Sequence, residues 1–245
     1  MRVDEDKCTG CLDCIDYCPV GAIKEAAGGM VSIDEEECVE CGCCLRVGAC
    51  EYEALWQPEL DWPRVLRAQF SNPAVPHPST SVGGRGTEET KTNDVTGRYP
   101  RGYIGIAAEL GRPGTGTRMA DVEKVAQAIL PLGVDFEKDN PTYHLFEDVV
   151  QGKMREDILE ERVLSAILEF KTTEAKAPQV LKALERVAGE VDTVITVNIG
   201  SMVEPDGSVP AERVAEEAGF QIRPNGKSNL GLGRPRATVS QGAKQ

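Results

Sequence analysis

The chain has 245 residues, a formal net charge of −13 and 40% hydrophobic residues. This length favours two compact units, and no apolar run approaches the ~20 residues of a membrane-spanning helix. The first residues lack the apolar segment of a secretory signal. The acidic balance argues against nucleic-acid binding, which depends on cationic side chains that meet phosphate. We therefore expect a cytoplasmic protein that has no membrane span, binds no nucleic acid and attracts basic partners.

The nine cysteines all lie between residues 8 and 50. Such clustering favours metal binding, because a disulfide framework would spread its cysteines through the fold. The first run consists of Cys8, Cys11, Cys14 and Cys18, with Pro19 after it. This CxxCxxCxxxCP spacing is typical of a loop that binds a cubane [4Fe–4S] cluster. Three thiolates on one tight loop can bind three irons, while a fourth ligand comes from elsewhere.

The second run repeats the first with one irregularity. It consists of Cys38, Cys41, Cys44 and Cys50, and Cys43 is the ninth cysteine. Matching residues around both runs predict a repeat of about 30 residues, each half with a short strand, a cysteine loop and a helical turn. Five residues separate Cys44 from Cys50, against three at the same place in the first run, and Glu51 replaces the proline. The second run therefore carries a two-residue insertion.

Residues 1–56 resemble the dicluster bacterial-type ferredoxins, a family in which the fourth cysteine of each run binds the other run's cluster. The resemblance implies two [4Fe–4S] clusters. Cluster 1 would be held by Cys8, Cys11, Cys14 and Cys50. Cluster 2 would be held by Cys38, Cys41, Cys44 and Cys18, with Cys43 able to replace Cys44. The alternatives are a zinc site and the loss of one cluster through the insertion.

Residues 57–102 are predicted to form an extended connector rich in proline and glycine. Only residues 63–70 have the pattern of a short helix. The segment from Ser79 to Thr87 could form an anion-binding nest of backbone N–H groups. No strand precedes it, so a flexible or partner-bound loop is the alternative.

From residue 103 the hydrophobic pattern becomes regular and predicts a second domain over residues 103–220. The predicted elements are a strand at 103–110, a helix at 119–130, a strand at 134–136, a helical insertion within about 139–161, a strand at 163–170, a helix at 178–188, a strand at 191–199 and a helix at 210–218. Without the insertion this order is that of a βαββαβ plait. The whole chain is therefore assigned to the α+β class, with a basic tail over 221–245.

The first half of this second domain resembles an ACT domain. The resemblance is carried by the segment Glu109-Leu110-Gly111-Arg112-Pro113-Gly114, the helix after it, and the segment Leu132-Gly133-Val134-Asp135-Phe136. It implies a regulatory plait that senses an amino acid and pairs into a homo-oligomer. The candidate ligand loop comprises Gly111, Arg112, Pro113 and Gly114, and it precedes a helix N-terminus, which favours anions. A plain turn is the alternative.

The sequence offers little for catalysis. It has no hydrolase, metalloprotease or nucleotide-binding motif. Its two histidines, His77 and His144, lie far apart in the sequence. Its acidic runs at 35–37 and 160–161 are interpreted as solvated faces. The ferredoxin resemblance then favours an electron-transfer protein or oxidoreductase subunit that relays low-potential electrons through two clusters to a separate redox partner. The alternatives are a redox- or amino-acid-responsive regulator and an accessory subunit of a sulfur or amino-acid pathway.

Overall fold

The computed structural model describes residues 1–81, 83, 96–112 and 114–222, and it mixes helices with strands as the α+β class requires. The described strands are β1 (Arg2–Val3), β2 (Ile23–Glu25), β3 (Val31–Ile33), β4 (Leu55–Trp56), β5 (Tyr103–Leu110), β6 (Thr117–Arg118), β7 (Asp135–Phe136), β8 (Phe146–Asp148), β9 (Lys153–Met154), β10 (Arg162–Val163), β11 (Ala166–Thr173) and β12 (Ile195–Gly200). The described α-helices are α1 (Cys43–Arg46), α2 (Val65–Ser71), α3 (Met119–Ile129), α4 (Ala177–Ala188) and α5 (Pro210–Glu217). Within these described ranges, no helix has the length and apolar character needed to cross a membrane.

The N-terminal part is built from two similar halves around a small hydrophobic cluster. Strand β1 pairs antiparallel with β4, and β2 pairs antiparallel with β3. The buried members of the cluster include Ile23, Val31 and Leu55, together with Cys14 and Cys44. The cysteine loops therefore enclose part of this core, and the predicted strand, loop and helical turn occur in each half.

The larger core lies under a four-stranded antiparallel sheet. The strand order is β12-β5-β11-β7, and β5 pairs with β11 along its whole length, from Leu110 opposite Ala166 to Tyr103 opposite Thr173. Helix α3 follows β5, and α4 follows β11. Alternate side chains of β5, such as Ile104 and Ile106, are fully buried against the helices. In chain order the sheet and its two helices form a βαββαβ arrangement.

The insertion between β7 and β11 is not helical in the way the sequence predicted. Short 3₁₀ turns occupy Pro141–Leu145 and Glu156–Ile158, and the hairpin β8–β9 lies between them. Asp148 closes a turn between the two strands of this hairpin, because its carboxylate accepts hydrogen bonds from the backbone N–H groups of Val150 and Gln151. Gly152 then adopts φ +68°, which an α-helix does not allow.

Two predicted strands have different limits from those expected. The apolar stretch after residue 161 divides into β10, which pairs with β6, and β11, which enters the main sheet. The last strand begins at Ile195 and not at residue 191. It lies at the sheet edge and pairs only with β5 among the described strands. The strand predicted at 103–110 and the helix predicted at 210–218 agree closely with β5 and α5.

Helix α2 confirms the short helix predicted within the connector, but it is not part of an extended segment. Its Leu66 and Phe70 are fully buried in the larger core. Ser71, at the end of α2, accepts a hydrogen bond from the backbone N–H of Leu164 at 2.8 Å. The helix is therefore packed against the domain that follows it. Most of the predicted nest, Pro113 and the tail beyond residue 222 lie outside the described residues.

Candidate metal centres

Four of the predicted cluster ligands line one cavity in the N-terminal part of the chain. The empty volume is about 300 Å³, and the cysteines on its wall are Cys8, Cys11, Cys14 and Cys50. Three of them belong to the first run, whereas the last comes from the end of the second run. Leu12, Val31 and Leu55 supply apolar wall. We call this space the first cavity.

A second cavity collects the other four predicted ligands. Its empty volume is about 330 Å³, and the cysteines on its wall are Cys18, Cys38, Cys41 and Cys44. Three of them belong to the second run and one to the first, so the two runs exchange their last cysteines. Cys43 is half-buried and does not line either cavity. None of the nine cysteines forms a disulfide.

The same backbone hydrogen bonds shape both loops. The N–H of Cys8 donates to the carbonyl of Asp4 at 3.0 Å, and the N–H of Cys38 donates to that of Asp34 at 2.9 Å. Two residues beyond each of these cysteines, the backbone turns into the left-handed region. Gly10 provides this turn in the first loop at φ +74°, where a side chain would strike the carbonyl of Gly29. The second loop places Glu40 there, at φ +53°.

The last cysteine of each run also has a matching environment. The sulfur of Cys18 accepts from the N–H of Ala22 at 3.1 Å, and that of Cys50 accepts from the N–H of Ala54 at 3.4 Å. Such N–H groups stabilise negative charge on a cluster ligand. The two sulfurs therefore have equivalent donors, although the second run is two residues longer.

The two extra residues of the second run are accommodated at the C-terminal end of helix α1. Helix α1 ends in a Schellman motif, in which the N–H of Ala49 donates to the carbonyl of Cys44 and that of Gly48 donates to the carbonyl of Leu45, both at 3.0 Å. Gly48 adopts φ +65°, which such a motif requires. The chain is thereby redirected so that Cys50 still reaches the first cavity.

Burial controls the electrostatics of the thiols. Desolvation, together with the neighbouring cysteines, raises the pKa of Cys44 to about 12. Desolvation also raises the pKa of Cys14, Cys38 and Cys41. A thiolate at these positions needs a compensating cation, which the irons of a cluster supply when bound. Across the described residues, no group of three or more His, Cys, Asp or Glu side chains is arranged to hold a single metal ion.

A buried carboxylate is held inside the second loop. Glu40 accepts hydrogen bonds from Gln57 at 3.0 Å, from Arg64 at 2.8 Å and from the ammonium group of Met1 at 2.5 Å. Desolvation acts to raise the pKa of Glu40, but these donors outweigh it and hold the pKa below its usual range. Sequence reasoning missed this residue, because a glutamate between two cysteines carries no signal of burial.

The acidic runs interpreted as solvated faces instead make specific contacts. Glu37 pairs with Arg162 of β10 at 2.6 Å. Glu161 pairs with Arg67 of α2 at 2.5 Å. The interpretation was therefore wrong for these two residues, since both join the cysteine region to the larger domain.

The candidate ligand loop of the larger domain is largely occupied by its own contacts. Arg112 forms an ion pair with the buried Glu109, and Thr196 donates to the backbone carbonyl of Arg112 at 3.1 Å. At the end of the turn Gly116 lies close to Val20, so that a side chain added to Gly116 would contact it. Val20 lines the second cavity. Gly116, two residues beyond the loop, therefore lies beside the cysteine region.

Comparison with known proteins identifies the class of the N-terminal region. Residues 1–24 match the family model of the 4Fe-4S binding domain. Over 36 residues the chain is 46% identical to a probable ferredoxin from Methanosarcina thermophila, a match that covers 15% of this chain and 62% of that relative. The chain thus spans less than two thirds of the relative. No solved structure matches. The chain carries a 4Fe-4S ferredoxin-type domain at its N-terminus, and this supports an iron–sulfur electron-transfer role.

Proposed function

We propose that the chain binds two [4Fe–4S] clusters and relays low-potential single electrons through them to a separate partner enzyme. The observation that carries this proposal is the exchange of cysteines between the two cavities. Each cavity has four cysteines on its wall, three from one run and the last from the other. A cubane cluster takes four thiolates, and a run of this type supplies three to one cluster and one to the next.

In this proposal the ligand sets follow the cavity walls. Cluster 1 is held by Cys8, Cys11, Cys14 and Cys50, and cluster 2 by Cys18, Cys38, Cys41 and Cys44. Cys43 stays a free thiol, because it lines neither cavity. The clusters supply one-electron redox chemistry when bound. The chain supplies the thiolates, the N–H donors to Cys18 and Cys50, and the apolar walls that limit water.

Surface charge supports a basic partner. Asp13, Asp16, Glu51 and Glu53 are exposed beside ligand cysteines. Tyr52 on the wall of the first cavity is 50% exposed, and Tyr17 on the wall of the second is 48% exposed. Acidic groups around a partly exposed redox site steer a positively charged partner toward it. Electrons would therefore cross at this acidic end of the molecule.

The test is an anaerobic count of iron and acid-labile sulfide, with EPR of the dithionite-reduced protein. We expect about eight irons and about eight sulfides per chain, with signals from two interacting clusters. About four irons would contradict the two-cluster proposal. Zinc without sulfide would overturn the iron–sulfur assignment altogether. The chain with Cys43→Ala provides a matched control, because the loss of a thiol outside the cavities should leave both counts unchanged.

The larger domain supports a second candidate function, that of an ACT-like plait which senses an amino acid. The βαββαβ order of its sheet is compatible with such a domain, and Gly116, two residues beyond the candidate ligand loop, lies close to Val20 of the second cavity. Binding of an amino acid at this loop would therefore change the surroundings of cluster 2. Thermal unfolding of the full chain with each of the common amino acids tests this function. A shift with one of them would support it, and the absence of any shift would contradict it.

A further inference from the structure

Arg67 connects the second cysteine loop to the larger domain. Its guanidinium group is buried, with 3% of the residue exposed. Nη1 lies 2.9 Å from the carbonyl oxygen of Glu35, 3.0 Å from that of Glu36 and 2.9 Å from that of Cys38. Nε donates to the carboxylate of Glu161 at 2.5 Å. One side chain therefore fixes the backbone that leads into a ligand cysteine and also binds a residue of the larger domain.

The helix that carries Arg67 is fixed on its other side. Leu66 and Phe70 of α2 are fully buried in the larger core. At the end of the helix, Asn72 accepts from Arg46 at 2.7 Å, and the same Arg46 nitrogen donates to the carbonyl of Cys41 at 2.5 Å. Helix α2 thus holds the second loop at several points. In the described part of the chain, no helix beyond the cysteine region makes equivalent hydrogen bonds to the first loop.

We propose that Arg67 is a positioning residue for cluster 2, and that the pair Arg67–Glu161 makes the reduction potential of cluster 2, but not that of cluster 1, depend on the larger domain. This inference rests on the proposed function, because it requires a cluster in the second cavity. It goes beyond that function by assigning unequal potentials to the two clusters and by naming the residues that cause the difference.

The physical reason is the charge of the pair in a buried environment. A reduced cluster carries one more negative charge, so a nearby cation stabilises the reduced form and a nearby anion destabilises it. Glu161 is also largely buried, and solvent therefore screens this pair poorly. The other charges that act on Cys38 are those of Glu40, the N-terminal ammonium group of Met1 and Arg64, and Glu40 pairs with both cations. Substitution of Glu161 leaves them in place.

The test measures both midpoint potentials by redox titration of the full-length protein, followed by EPR. Arg67→Gln removes the cation and should shift one midpoint potential to a more negative value. Glu161→Gln keeps Arg67 but removes its counter-charge, and it should shift the same potential to a more positive value. Arg213→Gln is the matched control, because Arg213 pairs with Glu174 at 2.8 Å on the surface of the larger domain. It should shift neither potential.

Shifts of the midpoint potential in opposite directions in Arg67→Gln and Glu161→Gln distinguish an electrostatic effect from a general loss of structure. A purely structural role would move the potential in the same direction in both variants, or would lower cluster content in both. Either result overturns the inference, and so do unchanged potentials or equal shifts of both clusters. If Arg67→Gln fails to fold, Glu161→Gln alone decides by the presence or absence of its positive shift. A wild-type chain without iron and sulfide would overturn the proposed function, and the inference with it.

Discussion

The two cysteine loops share one backbone plan but differ in what holds them. In the first loop, Gly10 provides the left-handed turn and the loop closes on its own neighbours. In the second loop, Glu40 occupies the same turn and is held by Arg64 and Gln57, while Arg67 binds the backbone before Cys38. The first loop is thus held by contacts within the cysteine region, whereas the second depends on residues that follow that region.

This difference explains how the second run tolerates its irregularities. A glutamate in the left-handed region and a two-residue insertion each cost conformational energy. Ion pairs from Arg64 to Glu40, at 2.6 Å, and the Schellman motif at Gly48 offset those costs. A supporting segment therefore holds the second run. That segment is helix α2 and the residues just before it.

The largest expected effect comes from removal of one exchanged cysteine. Cys50→Ala should remove the cluster of the first cavity, although Cys50 belongs to the second run, so iron should fall from about eight to about four per chain. Cys43→Ala should leave the iron content unchanged. Metal analysis and the visible absorbance of the anaerobic protein measure both. If Cys43→Ala lost as much iron as Cys50→Ala, the assignment of ligands by cavity would be wrong.

The next largest effect tests the dependence of the second loop on the larger domain. Phe70→Ala empties a fully buried position on α2 and should cost about 3–5 kcal/mol of unfolding free energy. Urea unfolding followed by circular dichroism gives this value, and iron release in the same titration should shift to lower urea for half of the iron. Val150→Ala is the control, because Val150 is 87% exposed. Equal release of all the iron would show that α2 does not distinguish the two loops.

Sequence reasoning works best where the requirement is local. The thiols of a cluster loop must recur at short fixed spacing. The eight predicted ligands line the two cavities, four in each, and their binding of clusters stays a prediction. The continuous apolar stretch at 103–110 correctly predicted a strand, because β5 is buried almost throughout its length. Helical periodicity likewise identified α3 and α4, each to within one residue at either end.

Other features could not be predicted from the sequence, because they join residues that are distant along the chain. Arg67 binds Cys38 and Glu161, which lie 29 and 94 positions away in the sequence, and no local pattern marks such a pair. Glu161 was assigned to a solvated face for the same reason. In the insertion, a turn at Asp148 and Gly152 lies where a helical segment was predicted. Local propensity alone therefore missed how the two domains are joined.

A smaller effect compares two glycines of the first half. Gly10→Ala places a methyl group 2.4 Å from the carbonyl oxygen of Gly29, and the steric clash adds to the cost of left-handed backbone, about 2–4 kcal/mol in total. Gly28→Ala shares the positive φ but meets no atom within 4 Å, so about 1–2 kcal/mol is expected. Urea midpoints of the loaded protein measure both. Equal midpoints would show that the first loop is not held by this close approach.

The smallest expected effect is a dependence of stability on pH, which arises at His77 beside helix α2. His77 is buried edge-on against Phe70, and desolvation, assisted by His144, lowers the pKa of His77 to about 4 from 6.5. As the pH falls, His77 therefore binds a proton in the unfolded chain before it does so in the folded chain. The free energy of unfolding has its full value above about pH 6.5 and decreases as the pH falls toward 4. Between pH 8 and pH 5 the loss should be about 1–2 kcal/mol.

Urea unfolding at both pH values measures this loss, and two histidine variants show where it arises. His77→Gln should remove most of the pH dependence, because the replacement does not titrate. His144→Gln should retain most of it, because His144 is exposed and only assists the shift. Acid should also release iron from the second cavity before the first, since His77 supports α2 and α2 supports the second loop alone. Simultaneous release from both cavities would contradict the unequal support of the two loops.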